Sequence, residues 1–175
     1  KGNLYIADAF NNRIRKVDSF GIISTFAGAG GLGALGDGGP ATDAILNLPQ
    51  GLAIDDIGNL YIADASANRV RKVDTFGIIT TVAGIGGAGI FMGDNIPATD
   101  ASINPIKVVI DSSGNLIIAD KYNRRVYGVD DAGIIHTIVG NGATGYGGDG
   151  GPATSTSIDY PGGVSFDPCW NLYIT

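Results

Sequence analysis

Short apolar segments of five to seven residues recur along the chain, and polar or glycine-containing turns separate them. Four such segments follow one another at 51–55, 59–64, 69–74 and 78–84. They are rich in Val, Ile, Tyr and Thr, and none shows the 3.6-residue period of an amphipathic helix. The pattern therefore predicts four consecutive antiparallel strands joined by tight turns.

The second segment of each repeat is apolar on both of its faces. In residues 59–64, Leu60 and Ile62 point to one face, and Tyr61 and Ala63 point to the other. A sheet with one face in solvent alternates apolar and polar residues, whereas a sheet packed between two others does not. We therefore expect each sheet to be covered on both faces. The third segment is the most polar, so we place it farther from the centre.

One motif sets the period of the chain. The sequence Gly-Asn-Leu-Tyr-Ile-Ala-Asp begins at residue 2, returns at residue 58, and returns with Ile in place of Tyr at residue 114. A shortened copy occupies 170–175, and each copy follows the last by 56 residues, which is typical of a repeat architecture. Glycine-rich connections between repeats end in Pro-Ala-Thr. Because proline suits the first turn of a helix, we expect about one helical turn at 41–46.

The combination of GNLYIAD, NRIRKVD, GIISTFAG and GDGGPAT motifs resembles the NHL-repeat family in its long-repeat form, which is common in bacterial and cell-surface proteins. The resemblance covers essentially the whole chain. It implies a β-propeller, usually six-bladed, with four antiparallel strands in each blade. The expected fold is thus all-β, an arc of about three 56-residue blades of a six-bladed ring. The arc divides into a partial blade at 1–50, blades at 51–106 and 107–162, and a partial blade at 163–175.

This count predicts a fragment of a longer polypeptide, or an arc that a second copy closes. Open blade faces would otherwise expose apolar surface. The expected partners therefore include the remaining blades of the same polypeptide and other copies of the chain.

Charge narrows the classes of partner. The net charge is -6 and the sequence pI is about 4.4, which disfavours binding to nucleic acid and to anionic membrane surfaces. No apolar run approaches the roughly 20 residues of a membrane span, so no membrane insertion is expected. Cys169 is the single cysteine, so the chain forms no internal disulfide.

Aspartates recur in every repeat, both at strand ends and in the glycine-rich connections. One interpretation is a calcium-binding rim, because carboxylates and loop carbonyls suit a hard cation. Its candidates in the connections are Asp37, Asp94 and Asp149. The other interpretation is that each aspartate caps a turn or pairs with Arg13, Arg69 or Arg125. We expect the second, because ligand sites are rarely copied into every repeat, and we expect no cofactor.

Departures between repeats give the interface candidates. Lys107 replaces the glycine found at Gly51 and Gly163, at the start of an inner strand. Exposed aromatic and Met side chains on loops are interface candidates, although they also pack on neighbouring loops. Two turn residues of the last copy, Cys169 and Trp170, replace Ser113 and Gly114. The loop candidates are Phe91, Met92 and Tyr146.

These features favour a non-enzymatic module that recognises protein or glycan, located outside the cell or at its surface. A variant is a structural unit of an extracellular assembly. The alternative is part of a propeller lyase or hydrolase whose catalytic residues lie in blades outside this chain. Relatives of that kind hold a metal through several histidines, and this chain has only His136, which cannot form such a site alone.

Overall fold

Strands in antiparallel sheets are the main regular structure of the chain. The computed structural model describes residues 2–31, 33, 35–87 and 93–175. The strands in these parts are β1 (Leu4–Asp8), β2 (Arg13–Val17), β3 (Ile23–Ala27), β4 (Pro49–Ile54), β5 (Leu60–Asp64), β6 (Arg69–Val73), β7 (Ile79–Ala83), β8 (Ile96–Pro97), β9 (Pro105–Ile110), β10 (Leu116–Asp120), β11 (Arg125–Val129), β12 (Ile134–Val139), β13 (Val164–Phe166) and β14 (Leu172–Ile174).

Consecutive strands pair to form four sheets. The first sheet has the order β1-β2-β3, the second β4-β5-β6-β7, and the fourth β13-β14. The third has the order β8-β12-β11-β10-β9, so the short strand β8 adds to the outer edge of a four-stranded meander. The predicted succession of four antiparallel strands is confirmed in the second sheet. Its first strand begins two residues earlier than expected, because Pro49 already pairs with Asp64.

Three apolar cores lie between neighbouring sheets and hold them side by side. Leu60 and Ile62 of β5 are buried in the core against the first sheet. Ala63 and Tyr61, on the opposite face of the same strand, pack in the core against the third sheet. A third core joins the third and fourth sheets around Ile117. The motif is therefore apolar on both faces because each middle sheet is covered on both faces, as the sequence predicted.

The glycine-rich connection runs along the outer edge of the following sheet. Gly38 N–H donates to the carbonyl oxygen of Ile79, and Ile79 N–H donates to that of Gly39, at 2.8 and 3.0 Å. Strand β8 makes the same kind of edge contact with β12. The first two connections thus protect the outer strand of the next sheet before they cross to its inner strand.

The helical turn expected at 41–46 is shorter than predicted. Residues 41–44 form a hydrogen-bonded turn, in which Asp43 N–H donates to Pro40 at 3.0 Å. The chain then extends, because Ile45 pairs with Leu35. The corresponding positions of the later connections contain single 3-10 turns, Ala98–Asp100 and Ala153–Ser155. In the described parts of the chain, no helix is long and apolar enough to cross a membrane.

The sheet array has two ends, the turn face and the loop face. The turn face is formed by the turns between β4 and β5, β9 and β10, and β13 and β14, at 55–59, 111–115 and 167–171. The loop face lies at the other end of the second strands and is formed by 8–12, 64–68 and 120–124. Antiparallel pairing places these two sets of turns at opposite ends of the strands.

Candidate functional site

An aspartate holds each turn of the turn face. Asp55 accepts hydrogen bonds through Oδ1 from the N–H groups of Ile57, Gly58 and Asn59, at 2.8–3.1 Å. Its Oδ2 accepts from Asn59 Nδ2 and from the Tyr61 hydroxyl. Burial alone would raise the pKa of Asp55, but these hydrogen bonds outweigh burial and lower it. The equivalent turns are held in the same way by Asp111 and Asp167.

A second set of aspartates caps the turns after the third strands. Asp130 accepts a hydrogen bond from Ile134 N–H at 2.9 Å and lies 3.1 Å from His136 Nε2. The hydrogen bond from Ile134 N–H is the main cause that lowers the pKa of Asp130, and the contact with His136 is the next. His136 lies in β12 and is partly exposed, and its Nδ1 lies 3.0 Å from Asn95 Oδ1. Equivalent caps are formed by Asp18 and Asp74.

The aspartate that ends the second strand is buried and shares an arginine with a connection aspartate. Arg71 and Asp64 are both fully buried, and their charged groups lie 3.7 Å apart. Arg71 Nη2 also donates to Asp37 Oδ1 at 2.6 Å, and Asp37 is 45% exposed. Burial raises the pKa of Asp64 to about 7, although Asn47 N–H and the charge of Arg71 oppose the shift. Asp37 makes the shorter contact with Arg71 and is its hydrogen-bonded counter-ion.

The third sheet uses a tyrosine at the position of Arg71. Tyr127 is buried, and burial raises its pKa, with the nearby charges of Asp120 and Asp94 acting in the same direction. Asp120 accepts hydrogen bonds from the N–H groups of Asn104 and Asn123 and from the Asn123 side chain. Burial is the main cause that raises the pKa of Asp120. The repeats thus satisfy the same buried carboxyl in two different ways.

The calcium candidates lie apart and each has its own partner. Asp37 bonds to Arg71, and Asp94 accepts from the N–H and hydroxyl of Thr137 at 2.7 Å. Asp149 acts on the Tyr146 hydroxyl and raises its pKa. Over residues 2–31, 33, 35–87 and 93–175, no three His, Cys, Asp or Glu side chains come together to hold a metal ion. This geometry favours the interpretation of the aspartates as turn caps and ion-pair partners.

Two of the arginines expected to pair with aspartates act on buried carboxyls through their charge, Arg69 on Asp64 and Arg125 on Asp120. Further ion pairs join Arg15 to Asp8, at 3.9 Å, and Arg71 to Asp64. The arginine that begins the third strand of each repeat also donates to carbonyl oxygens of the connection. Arg69, for example, donates to Ile85. Its guanidinium lies where a Cβ at Gly86 would be, so glycine is needed for this contact. The equivalent arginines are Arg13 and Arg125.

The predicted interface residues lie in different parts of the structure. Tyr146 is 80% exposed in the third connection. Trp170 lies on the turn face with a left-handed backbone, and its ring packs against Phe166 at 5.5 Å. Cys169 beside it is an exposed free thiol. Lys107 lies in β9, partly buried, with its Cα against Gly51 of the neighbouring inner strand. Phe91 and Met92 lie outside the described residues.

An open cavity of about 580 Å³ lies at the turn face. Turns from the second, third and fourth sheets line it, so no single repeat contains it. Its apolar wall includes Ile54, Ile57, Ile110 and Trp170, and its polar wall includes Asp111 and Lys72. Ile57 is 77% exposed and Trp170 is 52% exposed. The cavity therefore presents apolar side chains to solvent inside a polar border.

A second group of side chains, on the loop face, is absent from the sequence predictions. Lys121 and Arg124 lie against the exposed rings of Tyr122 and Tyr160. The signal that identifies the group is departure from the repeat. Residues 121–124 read Lys-Tyr-Asn-Arg, where the preceding repeat has Ala-Ser-Ala-Asn at 65–68.

Comparison with known proteins relates the chain to one repeat family. The family model of the teneurin NHL domain matches residues 32–91. Teneurin-1 of Gallus gallus is 46% identical over 52 residues, which cover 30% of this chain and 2% of that protein. Teneurin-1 of Homo sapiens is 34% identical over 106 residues, covering 52% of this chain and 4% of that protein. The chain thus spans a few per cent of the length of these curated relatives.

Solved structures show the fold. A protein of unknown function from Bacteroides thetaiotaomicron superposes with a TM-score of 0.74 at 18% identity, over 98% of this chain and 41% of that one. Virginiamycin B lyase from Staphylococcus aureus superposes with a TM-score of 0.59 at 15% identity, over 99% and 45%. At these identities the likeness concerns the fold alone. The match at 32–91 supports the resemblance of the repeats to the NHL family.

Proposed function

We propose that the chain is a non-enzymatic recognition module that binds a protein partner through its turn face. The observation that carries this proposal is the open cavity whose apolar wall is formed by Ile54, Ile57, Ile110 and Trp170. Exposed apolar groups within a polar border are typical of protein-interaction sites. Tryptophan is also enriched among the residues that contribute most to binding energy.

The position of Trp170 supports the assignment. In the equivalent turns, the positive-φ position is occupied by Gly58 and Gly114, which adopt this conformation without a steric penalty. Trp170 has a φ of 64°, so a large apolar side chain stands where the turn itself favours glycine. Its ring is half-exposed and lines the cavity. Turn formation alone therefore does not account for this residue.

The family comparison supports both a role in protein interaction and a location at the cell surface or outside the cell. The match to the teneurin NHL domain covers 32–91, which includes part of the cavity wall. A structural role in an extracellular assembly is the variant of the same proposal. A glycan is the second class of partner, and a binding array that contains both proteins and glycans distinguishes the two classes.

We also propose that the sheets form part of a six-bladed ring, with blade divisions at 51, 107 and 163. The faces of the first and fourth sheets that no neighbouring sheet covers would then pack against the rest of the same polypeptide or against a second copy. The native mass of the particle, measured with its subunit count, tests this proposal. A stable, monodisperse monomer of these 175 residues would contradict it.

The binding proposal is tested with the purified chain as bait on an array of extracellular protein domains and glycans. We expect saturable binding to a protein domain, weakened at least about tenfold by Trp170→Ala and by Ile57→Ser, as for central interface residues. Phe10→Ser on the loop face is the control, because Phe10 is 93% exposed and distant from the cavity. Unchanged binding by both cavity variants would reject the turn face. Preferred binding to glycans would reject the partner class, and catalysis of a lyase or hydrolase reaction by the chain would reject the non-enzymatic assignment.

A further inference from the structure

One turn of the loop face carries charged and aromatic residues that its sister repeats lack. Residues 121–124 are Lys-Tyr-Asn-Arg, whereas the first two repeats have Ala-Phe-Asn-Asn at 9–12 and Ala-Ser-Ala-Asn at 65–68. All three turns follow the second strand and adopt the same left-handed residue at their last position: Asn12, Asn68 and Arg124. The turn therefore forms without the lysine, tyrosine or arginine, and these side chains need another explanation.

The side chains converge on one surface, together with Tyr160 from the following connection. Lys121 Nζ lies 5.6 Å from the centre of the Tyr122 ring and 5.7 Å from that of Tyr160. The Arg124 guanidinium lies 4.9 Å from the Tyr160 ring, and the two rings meet edge to face at 6.0 Å. Tyr122 is 60% exposed and Tyr160 is 46% exposed. We call these four residues the loop-face cluster.

The backbone of the cluster shows that its side chains are held at a conformational cost. Arg124 and Tyr160 both have positive φ, at 52° and 50°. Bulky residues seldom adopt this conformation, and Asn, which tolerates it better, fills the sister position of Arg124. Residues that keep an unfavourable backbone conformation often do so for function.

The cations of the cluster keep hydrogen-bond donors available. Arg124 donates through Nε to Asp159 at 2.8 Å, and its terminal nitrogens form no further hydrogen bond within the described chain. Lys121 Nζ lies near the two rings and forms no hydrogen bond or ion pair among the described residues. The rings orient both cations without consuming their N–H groups. Two fixed cations with available donors suit a carboxylate, because charge-assisted bonds to a carboxylate are strong and little side-chain freedom remains to be lost.

We propose that the loop-face cluster is a docking site for an acidic segment of a polypeptide partner. Among the described residues, Asp159 is the only carboxylate that forms an ion pair with the cluster, so the surface is locally positive on a chain of net charge -6. A cavity of about 160 Å³ beside Lys121 and Tyr122 is lined by Gln50, Ser66 and Asn104. It offers polar groups for the backbone or for one side chain of the segment.

A polypeptide fits the geometry better than a glycan. The tyrosine rings stand nearly perpendicular, at 86°, so they form no flat platform on which a sugar ring could stack. An extended acidic peptide instead places single carboxylates beside Lys121 and Arg124 and apolar atoms against the ring edges. This site lies at the opposite end of the strands from the turn-face cavity, so its test is independent of that proposal.

Fluorescence anisotropy with labelled peptides of equal length that carry none, two, four or six glutamates tests the site. We expect affinity to rise with the number of glutamates and to fall with added salt. The double variant Lys121→Ala, Arg124→Asn restores the residues of the preceding repeat, so the fold is retained. It should lose about tenfold or more in affinity, as for the loss of charge-assisted contacts. Lys72→Ala removes a positive charge at the turn face and should leave binding within about twofold.

Asp159→Asn should change the affinity for the peptides in the opposite direction to the double variant. Asp159 accepts a hydrogen bond from Arg124 Nε as a charged group, and Asn can still accept it but carries no charge. The substitution therefore removes a charge that repels carboxylates, and we expect tighter binding of the glutamate peptides. Weaker binding, an equal loss in Lys72→Ala, or no binding of any peptide would overturn the proposal. Preference for a heparin or polyuronate oligosaccharide over the six-glutamate peptide would also overturn it.

Discussion

The guanidinium of Arg71 lies 3.7 Å from the carboxylate of Asp64, and both side chains are fully buried inside the second sheet. Arg71 also reaches Asp37 of the preceding connection at 2.6 Å, so one side chain links β5, β6 and the connection that crosses the outer edge of the sheet. Removing one partner of a buried pair leaves the other without compensation. Arg71 is therefore a structural centre of the repeat.

Replacement of Arg71 by Ala should be strongly destabilising. We expect the free energy of unfolding to fall by about 3–5 kcal/mol, because the substitution leaves buried polar groups and an empty volume. Arg15→Ala is the matched control, since Arg15 occupies the same repeat position but is 29% exposed and lies 3.9 Å from Asp8. Its loss should cost at most about 1 kcal/mol. Urea denaturation measures both, and equal losses would contradict a special role for burial.

Asp64→Asn should change the pH dependence of stability. The pKa of Asp64 in the folded chain is about 7, above its ordinary value of 3.8. Between these values the folded state holds a proton that the unfolded state has lost, so the contribution of Asp64 to stability falls as pH rises from 4 to 7. The Asn variant lacks this titration. Relative to it, the parent should lose on the order of 2–4 kcal/mol over this range.

The aspartates with lowered pKa, such as Asp55, act in the opposite direction and lose their stabilising effect as pH falls. They are present in both proteins, so they cancel when parent and Asp64→Asn are compared at each pH. Urea denaturation at pH 5 and pH 8 measures the difference. A difference independent of pH would show that Asp64 stays ionised throughout.

Gly84→Ala should be more damaging than Gly77→Ala, although both glycines have positive φ, at 92° and 81°. A Cβ at Gly84 would clash with the carbonyl oxygen of Asn68, whereas a Cβ at Gly77 meets no atom within 4 Å. Gly77→Ala should therefore cost about 1–2 kcal/mol from backbone conformation alone, and Gly84→Ala distinctly more. Thermal denaturation of the two variants checks this order, and a reversed order would contradict the close approach.

Asp55→Ala should destabilise the turn face by about 1–3 kcal/mol, because several donors lose their acceptor. Asp56→Ala is the control, because the carboxylate of Asp56 is exposed and accepts no hydrogen bond among the described residues. Its effect should stay within about 0.5 kcal/mol. If the two variants were equally stable in urea, the capping role of Asp55 would be wrong.

The sequence by itself determined the repeat, the strands and the two-sided burial of the middle sheets. Alternation of side chains along a strand is a local property, so Leu60, Tyr61, Ile62 and Ala63 reveal that both faces are covered. The turn caps are local as well, because Asp55 bonds to N–H groups two to four residues away. The expected helical turn at 41–46 was too long, because the pairing of Ile45 with Leu35 is a tertiary contact that the local sequence does not encode.

Only the tertiary structure decided which charges meet. Arg71 lies 34 positions from Asp37. Tyr160 belongs to the third connection, whereas Lys121 belongs to the turn between β10 and β11. Identical repeat positions also acquire different roles, since Arg15 is partly exposed in the first sheet while Arg71 is fully buried in the second. Burial and charge pairing depend on what the neighbouring sheet and connection place beside a residue. A local sequence pattern fixes the strand on which a side chain lies, whereas its surroundings arise only when the sheets pack together.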